Sequence, residues 1–176
     1  MRKIYCYIIF VFASLTCLYA QDNCKLKKDQ DSIKVYTCHN DTSRFKSIVA
    51  EFTLHATLNQ LAQFIFDTPG YTRWQFNTVE AETIKKISSS EQIYHTVIEA
   101  PWPVTNRDMV VRMKIRYDQN DNEMVITAES EPGILPKKES YVRVPSSRGK
   151  WIVKERNKKN MLNFFITLFS IIFPRD

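Results

Sequence analysis

The sequence has few of the residues from which phosphate loops and metal sites are built. Its 176 residues include only three glycines, four cysteines and three histidines. A glycine-rich phosphate loop, a dinucleotide fingerprint and a nucleophile elbow are all missing, so no motif supports a nucleotide-binding protein or an α/β hydrolase. No two cysteines form a CxxC pair, and His39, His55 and His95 are scattered without ligand spacing. We therefore expect no metal site and no cofactor.

The remaining composition is that of one compact globular domain. Hydrophobic residues make up 44% of the chain and charged residues 25%, which excludes disordered and fibrous classes. A chain of this length buries roughly 70% of its unfolded surface, enough for a core or a lined cavity. The formal net charge of +6 is too small by itself to indicate nucleic acid, and we expect no nucleic-acid partner.

The first twenty residues are typical of a secretory signal peptide. Residues 1–3 supply a basic start, residues 4–18 are almost wholly apolar, and Ala20 is a small residue at a suitable cleavage position. An uncleaved anchor is the alternative, but the apolar run is shorter than the roughly 20 residues that span a bilayer. We expect a signal peptide at 1–20 and a secreted or periplasmic protein.

Export changes the interpretation of the cysteines. Only Cys24 and Cys38 remain after cleavage, and an even number in an oxidising compartment favours a disulfide. That bridge would close a loop of about 15 residues and stabilise the fold by about 3 kcal/mol. Two free thiols remain the alternative, because the sequence does not show whether the two backbones approach each other.

Apolar periodicity predicts an antiparallel sheet with one early helix. Apolar residues at helical spacing follow Thr57 and Gln60, which are placed as a capping box, and Pro69-Gly70 ends the helix. Alternating apolar and polar residues joined by short turns predict antiparallel strands and the α+β class. These strands cover residues 45–55, 79–87, 92–100, 108–118, 123–129, 141–144 and 150–154.

The apolar faces of the central strands are either a plain core or the lining of a ligand cavity, which alternation cannot distinguish. Several methionines favour an adaptable lining, although cores contain them too. The candidate lining residues are Trp102, Met109, Val111, Met113, Ile115, Tyr117, Met124 and Ile126.

The segment Pro101-Trp102-Pro103-Val104-Thr105-Asn106-Arg107-Asp108, followed directly by a strand, resembles the PWP-x-[ST]-NRD signature of START (StAR-related lipid-transfer) domains. The similarity is greatest to the phosphatidylcholine-transfer branch and its exported bacterial relatives. It covers about residues 24–155, and other pieces occur in family order at 33–37, 64–68, 71–74 and 132–144.

The resemblance implies a helix-grip (START/Bet v 1-like) fold, in which a curved antiparallel sheet encloses one lipid or sterol against a long C-terminal helix. It implies a non-enzymatic carrier, for which we expect a monomer and transient contact with a membrane surface. Residues 131–139, with Lys137 and Lys138, look like the family's mobile loop at the cavity mouth; a plain surface loop is the alternative.

The signature turn has two interpretations. Asn106, Arg107 and Asp108 either tie the turn through side-chain bonds or orient a lipid head group. Six residues after the arginine of the NRD signature, on the cavity side of the strand, the family often carries a second arginine. This chain has Met113 at that position. Arg112 should point outward, so the cavity is expected to prefer a less polar ligand.

The end of the chain departs from the resemblance. The closing helix is not evident, and the apolar run at 162–173 could be a last strand, a short helix over the cavity or the product of a shifted reading frame. We expect a START-like domain at 21–155 and an atypical apolar tail at 156–176. The alternatives to a carrier are a START remnant without ligand, or a helix-grip cyclase-like or hydrolase-like enzyme. Enzyme candidates are Glu51, His55, His95 and Glu99.

Overall fold

The computed structural model describes residues 24–39, 46–118, 120, 122–156 and 161–169. The predicted signal peptide at 1–20 lies outside these residues. The described chain forms a ten-stranded sheet, two helices and a 3₁₀ turn, so the α+β class is confirmed. The strands are β1 (Cys24–Gln30), β2 (Ile33–Cys38), β3 (Ser47–His55), β4 (Thr78–Ser88), β5 (Glu91–Ile98), β6 (Arg107–Asp118), β7 (Glu123–Ser130), β8 (Val142–Arg143), β9 (Arg148–Arg156) and β10 (Met161–Phe169).

The strand order is β1-β2-β3-β10-β9-β7-β6-β5-β4, with every neighbouring pair antiparallel. The two-residue β8 pairs in parallel with the start of β6. β10 lies between β3 and β9, so the apolar run after residue 160 supplies the strand that joins the two halves of the sheet. The boundary predicted at residue 155 does not separate this strand from the domain.

The helix α1 (Leu58–Phe66) begins where the sequence predicts. The Thr57 side chain accepts a hydrogen bond from the Gln60 backbone, and the Gln60 side chain accepts one from the Thr57 backbone, which completes the capping box. Leu61 and Ile65 are one turn apart and are buried against the sheet. A 3₁₀ turn (Thr68–Gly70) that contains Pro69 follows, and then the short helix α2 (Tyr71–Trp74).

The sheet therefore has two distinct faces. We call the face that packs against α1 the inner face and the opposite face the outer face. Because side chains alternate along a strand, residues directly opposite each other on antiparallel strands share a face. The main core lies on the inner face between α1 and strands β5, β6, β7 and β9.

The strand β1 has no counterpart among the strands predicted from the sequence. It forms a hairpin with β2 through Asp31 and Ser32, both of which have positive φ. Two consecutive left-handed residues are typical of a tight hairpin turn, which Asn-Gly usually signals in a sequence. A disulfide joins Cys24 to Cys38 across this hairpin.

Candidate functional site

Six of the eight predicted lining residues lie together on the inner face. They are buried and pack in one cluster with Leu61 and Ile65 of α1 and with Tyr71 and Tyr94. Their exposure is low because α1 packs directly over them. This half of the inner face is therefore a packed core in the structure. The six residues are Met109, Val111, Met113, Ile115, Met124 and Ile126.

Trp102 and Tyr117, which are also predicted to line a cavity, are outside this cluster. Trp102 is 92% exposed in the loop between β5 and β6. This loop is closed by hydrogen bonds from the Val104 backbone to the Pro101 carbonyl and from the Ala100 backbone to the Asn106 side chain, and it carries the indole away from the core. Tyr117 is half exposed and lines a cleft beside α1.

The other half of the inner face, on β2 and β3, is not packed in this way. Phe52 contacts the main core, and its face also carries Ile48 and Leu54, which are 46% and 43% exposed. On β2 the exposed Ile33 belongs to the same face, because Val35 lies opposite Ala50. An apolar surface therefore continues from the packed core onto an accessible part of the sheet.

Two open clefts flank the C-terminal half of α1. The larger, of about 640 Å³, lies between this half and the edge strand β4. The smaller, of about 170 Å³, lies between α1 and the β4–β5 turn and includes Ile115 and Tyr117. Gln63 and Phe66 line both clefts, so they form the partition between them.

The signature turn is held by its own side chains. Asn106 Oδ1 accepts a hydrogen bond of 3.1 Å from the Ala100 backbone, which ties the two ends of the turn together. Arg107 is buried, and its guanidinium donates to the Thr105 carbonyl. These contacts support the structural interpretation of Asn106.

Asp108 lies at the centre of a buried polar cluster on the outer face. Arg143 Nε donates to both carboxylate oxygens at 2.9 Å, and His95 Nε2 lies 3.0 Å from Oδ2. Burial alone would raise the pKa of Asp108, but the hydrogen bonds from Arg143 and His95 outweigh it and lower that pKa. All three side chains are almost inaccessible to solvent.

The same arginine holds the segment that the resemblance suggests is a mobile loop. Its guanidinium donates to the carbonyls of Pro132, Leu135 and Pro136 at 2.7 to 3.2 Å. Arg143 is bonded to Asp108, whose side chain is on the outer face. This segment therefore lies against the outer face, whereas the resemblance places it at the mouth of a cavity on the inner face. The hydrogen bond from Tyr141 to Glu80 fixes its far end across the sheet.

Met113 and Arg112 point to opposite faces of β6. Met113 is in the core, whereas Arg112 pairs with Glu91 at 2.6 Å and with Glu131 on the outer face. Hydrogen bonds to these two carboxylates raise the pKa of the Arg112 guanidinium. No cation is therefore placed on the inner face by this part of β6.

The titratable enzyme candidates do not converge. Glu51 and His55 are on β3, while His95 and Glu99 are on or just after β5, and four strands separate β3 from β5. His95 lies on the outer face and is only 2% exposed, with its Nε2 3.0 Å from the buried Asp108. Within the described residues no group of acidic, histidine and cysteine side chains could hold a metal ion.

None of the helices in the described part of the chain is both long enough and apolar enough to cross a bilayer.

Comparison with known proteins shows similarity over most of the described chain. The family model for the START domain matches residues 24–159. The chain is 25% identical over 134 residues to the uncharacterized protein PA1579 of Pseudomonas aeruginosa. It is also 25% identical over 126 residues to the human StAR-related lipid transfer protein 7, mitochondrial. These matches cover 76% and 68% of this chain, but only 65% and 34% of those proteins.

Similarity to solved structures supports the fold independently. The crystal structure of a STAR-related lipid transfer protein fragment from Xanthomonas axonopodis superposes with a TM-score of 0.78 at 25% sequence identity. The match covers 85% of this chain and 82% of that chain. The predicted helix-grip architecture, a large curved antiparallel sheet with few helices, is confirmed.

Proposed function

The chain belongs to the START domain family, and on this premise we propose that it is an exported, non-enzymatic protein that binds one lipid or sterol on the inner face of its sheet. The observation that carries the proposal is the exposed apolar half of that face. Two relatives that resemble this chain are named lipid transfer proteins, which supports the same class of ligand here.

The energetics of the inner face favour an apolar ligand. Full burial of an isoleucine or leucine side chain is worth roughly 1.5 to 3 kcal/mol. Ile33, Ile48 and Leu54 keep almost half of their surface accessible. Covering them with an acyl chain or a ring system would therefore contribute on the order of 1 kcal/mol for each residue. No covalent step is needed for such a carrier.

Export agrees with the covalent structure of the hairpin. The bond between Cys24 and Cys38 is of a kind that persists in oxidising compartments and is rare in the cytosol. Together with the predicted signal peptide it supports a secreted or periplasmic protein. A carrier in such a compartment would keep an insoluble ligand out of water between membranes.

Transient contact with a membrane is the second part of the proposal. Trp102 and Phe76 are 92% and 85% exposed, and their segments are joined by a hydrogen bond from the Glu99 backbone to the Asn77 carbonyl. Aromatic side chains of this kind favour the interface between bilayer and water. The exposed Lys137 and Lys138 would each add about 1 kcal/mol of attraction to an anionic surface.

The first experiment is recovery of the protein from an export host, followed by solvent extraction and mass spectrometry. We expect a co-purifying lipid or sterol at up to one molecule per chain, and uptake of a fluorescent analogue by the delipidated protein. The proposal fails if the folded protein carries no lipid and takes up neither fluorescent sterols nor fluorescent phospholipids.

A pair of leucine variants tests the location. Leu54→Asn changes the inner face, whereas Leu26→Asn changes a leucine that is 52% exposed on the outer face, opposite Tyr36. Both leucines are accessible, so neither change should unfold the protein. Uptake should fall severalfold in Leu54→Asn only; an equal fall in both variants would contradict binding on the inner face.

The membrane contact has its own test. Trp102→Ala combined with Phe76→Ala should release the protein from phospholipid vesicles in a flotation assay without changing its thermal unfolding. Retention of vesicle binding in this double variant would remove the exposed aromatic residues from the proposal.

A further inference from the structure

A buried side chain of β5 carries a hydrogen-bond acceptor that the fold leaves without a partner. Gln92 is fully buried on the inner face, opposite Met113 of β6. Its Oε1 has no hydrogen-bond partner among the described residues. An unpaired buried acceptor destabilises the folded state unless a ligand or water satisfies it.

The orientation of this amide is fixed by its other atom. Gln92 Nε2 lies 3.3 Å from the Phe66 carbonyl and 3.0 Å from Thr68 Oγ1. A carbonyl can only accept, so the nitrogen must be on that side and the oxygen must be the free atom. Of its two cross-strand neighbours, Met113 offers no donor and Lys86 makes no hydrogen bond to this oxygen. Gln92 Oε1 can therefore be satisfied only by a hydrogen-bond donor, which an ionised phosphate or carboxylate does not have.

The position of Gln92 relates this acceptor to the clefts beside α1. Phe66, whose carbonyl holds the amide, lines both clefts. Lys86, which lies opposite Gln92 on β4, lines the larger one. Gln92 is therefore adjacent to residues that line both clefts, whose combined size is within the usual range for ligand pockets.

We propose that Gln92 Oε1 accepts a hydrogen bond from a hydroxyl group of the bound lipid, so that the site selects neutral hydroxylated lipids over lipids that end in a phosphate, a carboxylate or an ether. This inference rests on the proposed lipid-binding function and adds the head-group chemistry. The apolar residues that line the clefts, including Phe66 and Ile115, contact the rest of the ligand.

The test compares octadecanol with octadecyl methyl ether and octadecanoate in competition against a fluorescent fatty probe. The ether keeps the oxygen and the chain but cannot donate. The alcohol should bind the wild-type protein about tenfold more tightly than the ether, the effect expected for one buried hydrogen bond, and more tightly than the carboxylate. Equal affinities for alcohol and ether would overturn the inference and leave the proposed function standing.

Two variants connect the preference to the residue. Gln92→Met should bring alcohol and ether within about twofold of each other. Thr96→Val is the matched control, because Thr96 is buried on the same face of the same strand and its hydroxyl also has no partner in the described structure; it should keep the tenfold preference. A preference that survives in Gln92→Met refutes the assignment to Gln92.

Failure of the inference and failure of the proposed function remain distinguishable. If the fluorescent probe does not bind, and none of the three lipids binds either, both the inference and the proposed function are wrong. If Gln92→Met does not fold, the comparison of alcohol and ether on the wild-type protein still decides whether a donor is recognised.

Discussion

Replacing Arg143 with methionine should destabilise the protein far more than removing an exposed arginine. Arg143 is inaccessible to solvent, and its guanidinium is bonded to Asp108 and to three carbonyls of the segment before β8. In Arg143→Met the carboxylate of Asp108 stays buried with only His95 beside it. Loss of one partner of a buried ion pair costs about 3 to 5 kcal/mol.

The assay is urea unfolding followed by circular dichroism, with the free energy of unfolding extrapolated to water. A cost of this size corresponds to a fall in Tm of roughly 10 °C for a domain of this length. Arg148→Met is the matched control, because Arg148 pairs with Glu129 at 3.2 Å and both side chains are more than half exposed. That variant should lose less than about 1 kcal/mol.

A double variant separates the ion pair from the hydrogen bonds to the loop. Asp108→Leu combined with Arg143→Met removes both charges, so part of the stability lost in Arg143→Met should return. The stability that is not recovered is then due to the hydrogen bonds that Arg143 donates to the carbonyls of Pro132, Leu135 and Pro136. If Arg143→Met is no more destabilising than Arg148→Met, the cluster does not hold the outer face together and the reasoning is refuted.

Three further predictions concern the same fold. Because the pKa of Asp108 is lowered in the folded protein, its contribution to the free energy of unfolding should be fully present above about pH 4 and be lost as the pH falls below that value. This loss of stability in acid should be smaller in Arg143→Met, and an equal loss in both proteins would contradict the role of Asp108. Reducing the bond between Cys24 and Cys38, 14 residues apart, should cost about 3 kcal/mol in denaturant unfolding, whereas a null effect would show that the hairpin is stable without it. Thr57→Ala should cost about 1 kcal/mol through loss of the capping box, and an unchanged Tm would contradict that role.

Much of the fold could be predicted from local patterns. The helix α1 has its cap, its buried stripe and its stop encoded within about a dozen residues, and the strands β3, β6 and β7 alternate clearly in the sequence. β1 could not be predicted because every one of its seven residues is exposed, so it has no apolar alternation, and its turn has no glycine. β10 was ambiguous because a strand inserted between two others reads as a continuous apolar run, as a short buried helix also does.

The predicted site was less accurate than the predicted fold. Alternation correctly placed six apolar residues on one face, but it could not show that α1 packs directly on them. Alternation also indicates that His95 faces away from the core. The side chain is buried in a cluster with Asp108 and Arg143, and these residues lie 13 and 35 residues further along the chain from His95 and Asp108 respectively. Sequence periodicity describes one strand at a time and contains no information on such long-range contacts.

The motif that reveals the family says little about what the protein binds. In the signature, Asn106 ties the turn and Asp108 holds the outer face through Arg143. Their chemistry is used in maintaining the fold of this chain, whatever ligand the protein carries. Ligand choice must come from positions on the inner face, where this chain has Met113 opposite the unpaired oxygen of Gln92 and exposed apolar side chains such as Ile48. Variation at the exposed inner positions, such as Ile48, with the turn kept intact, should therefore change ligand preference with little change in stability.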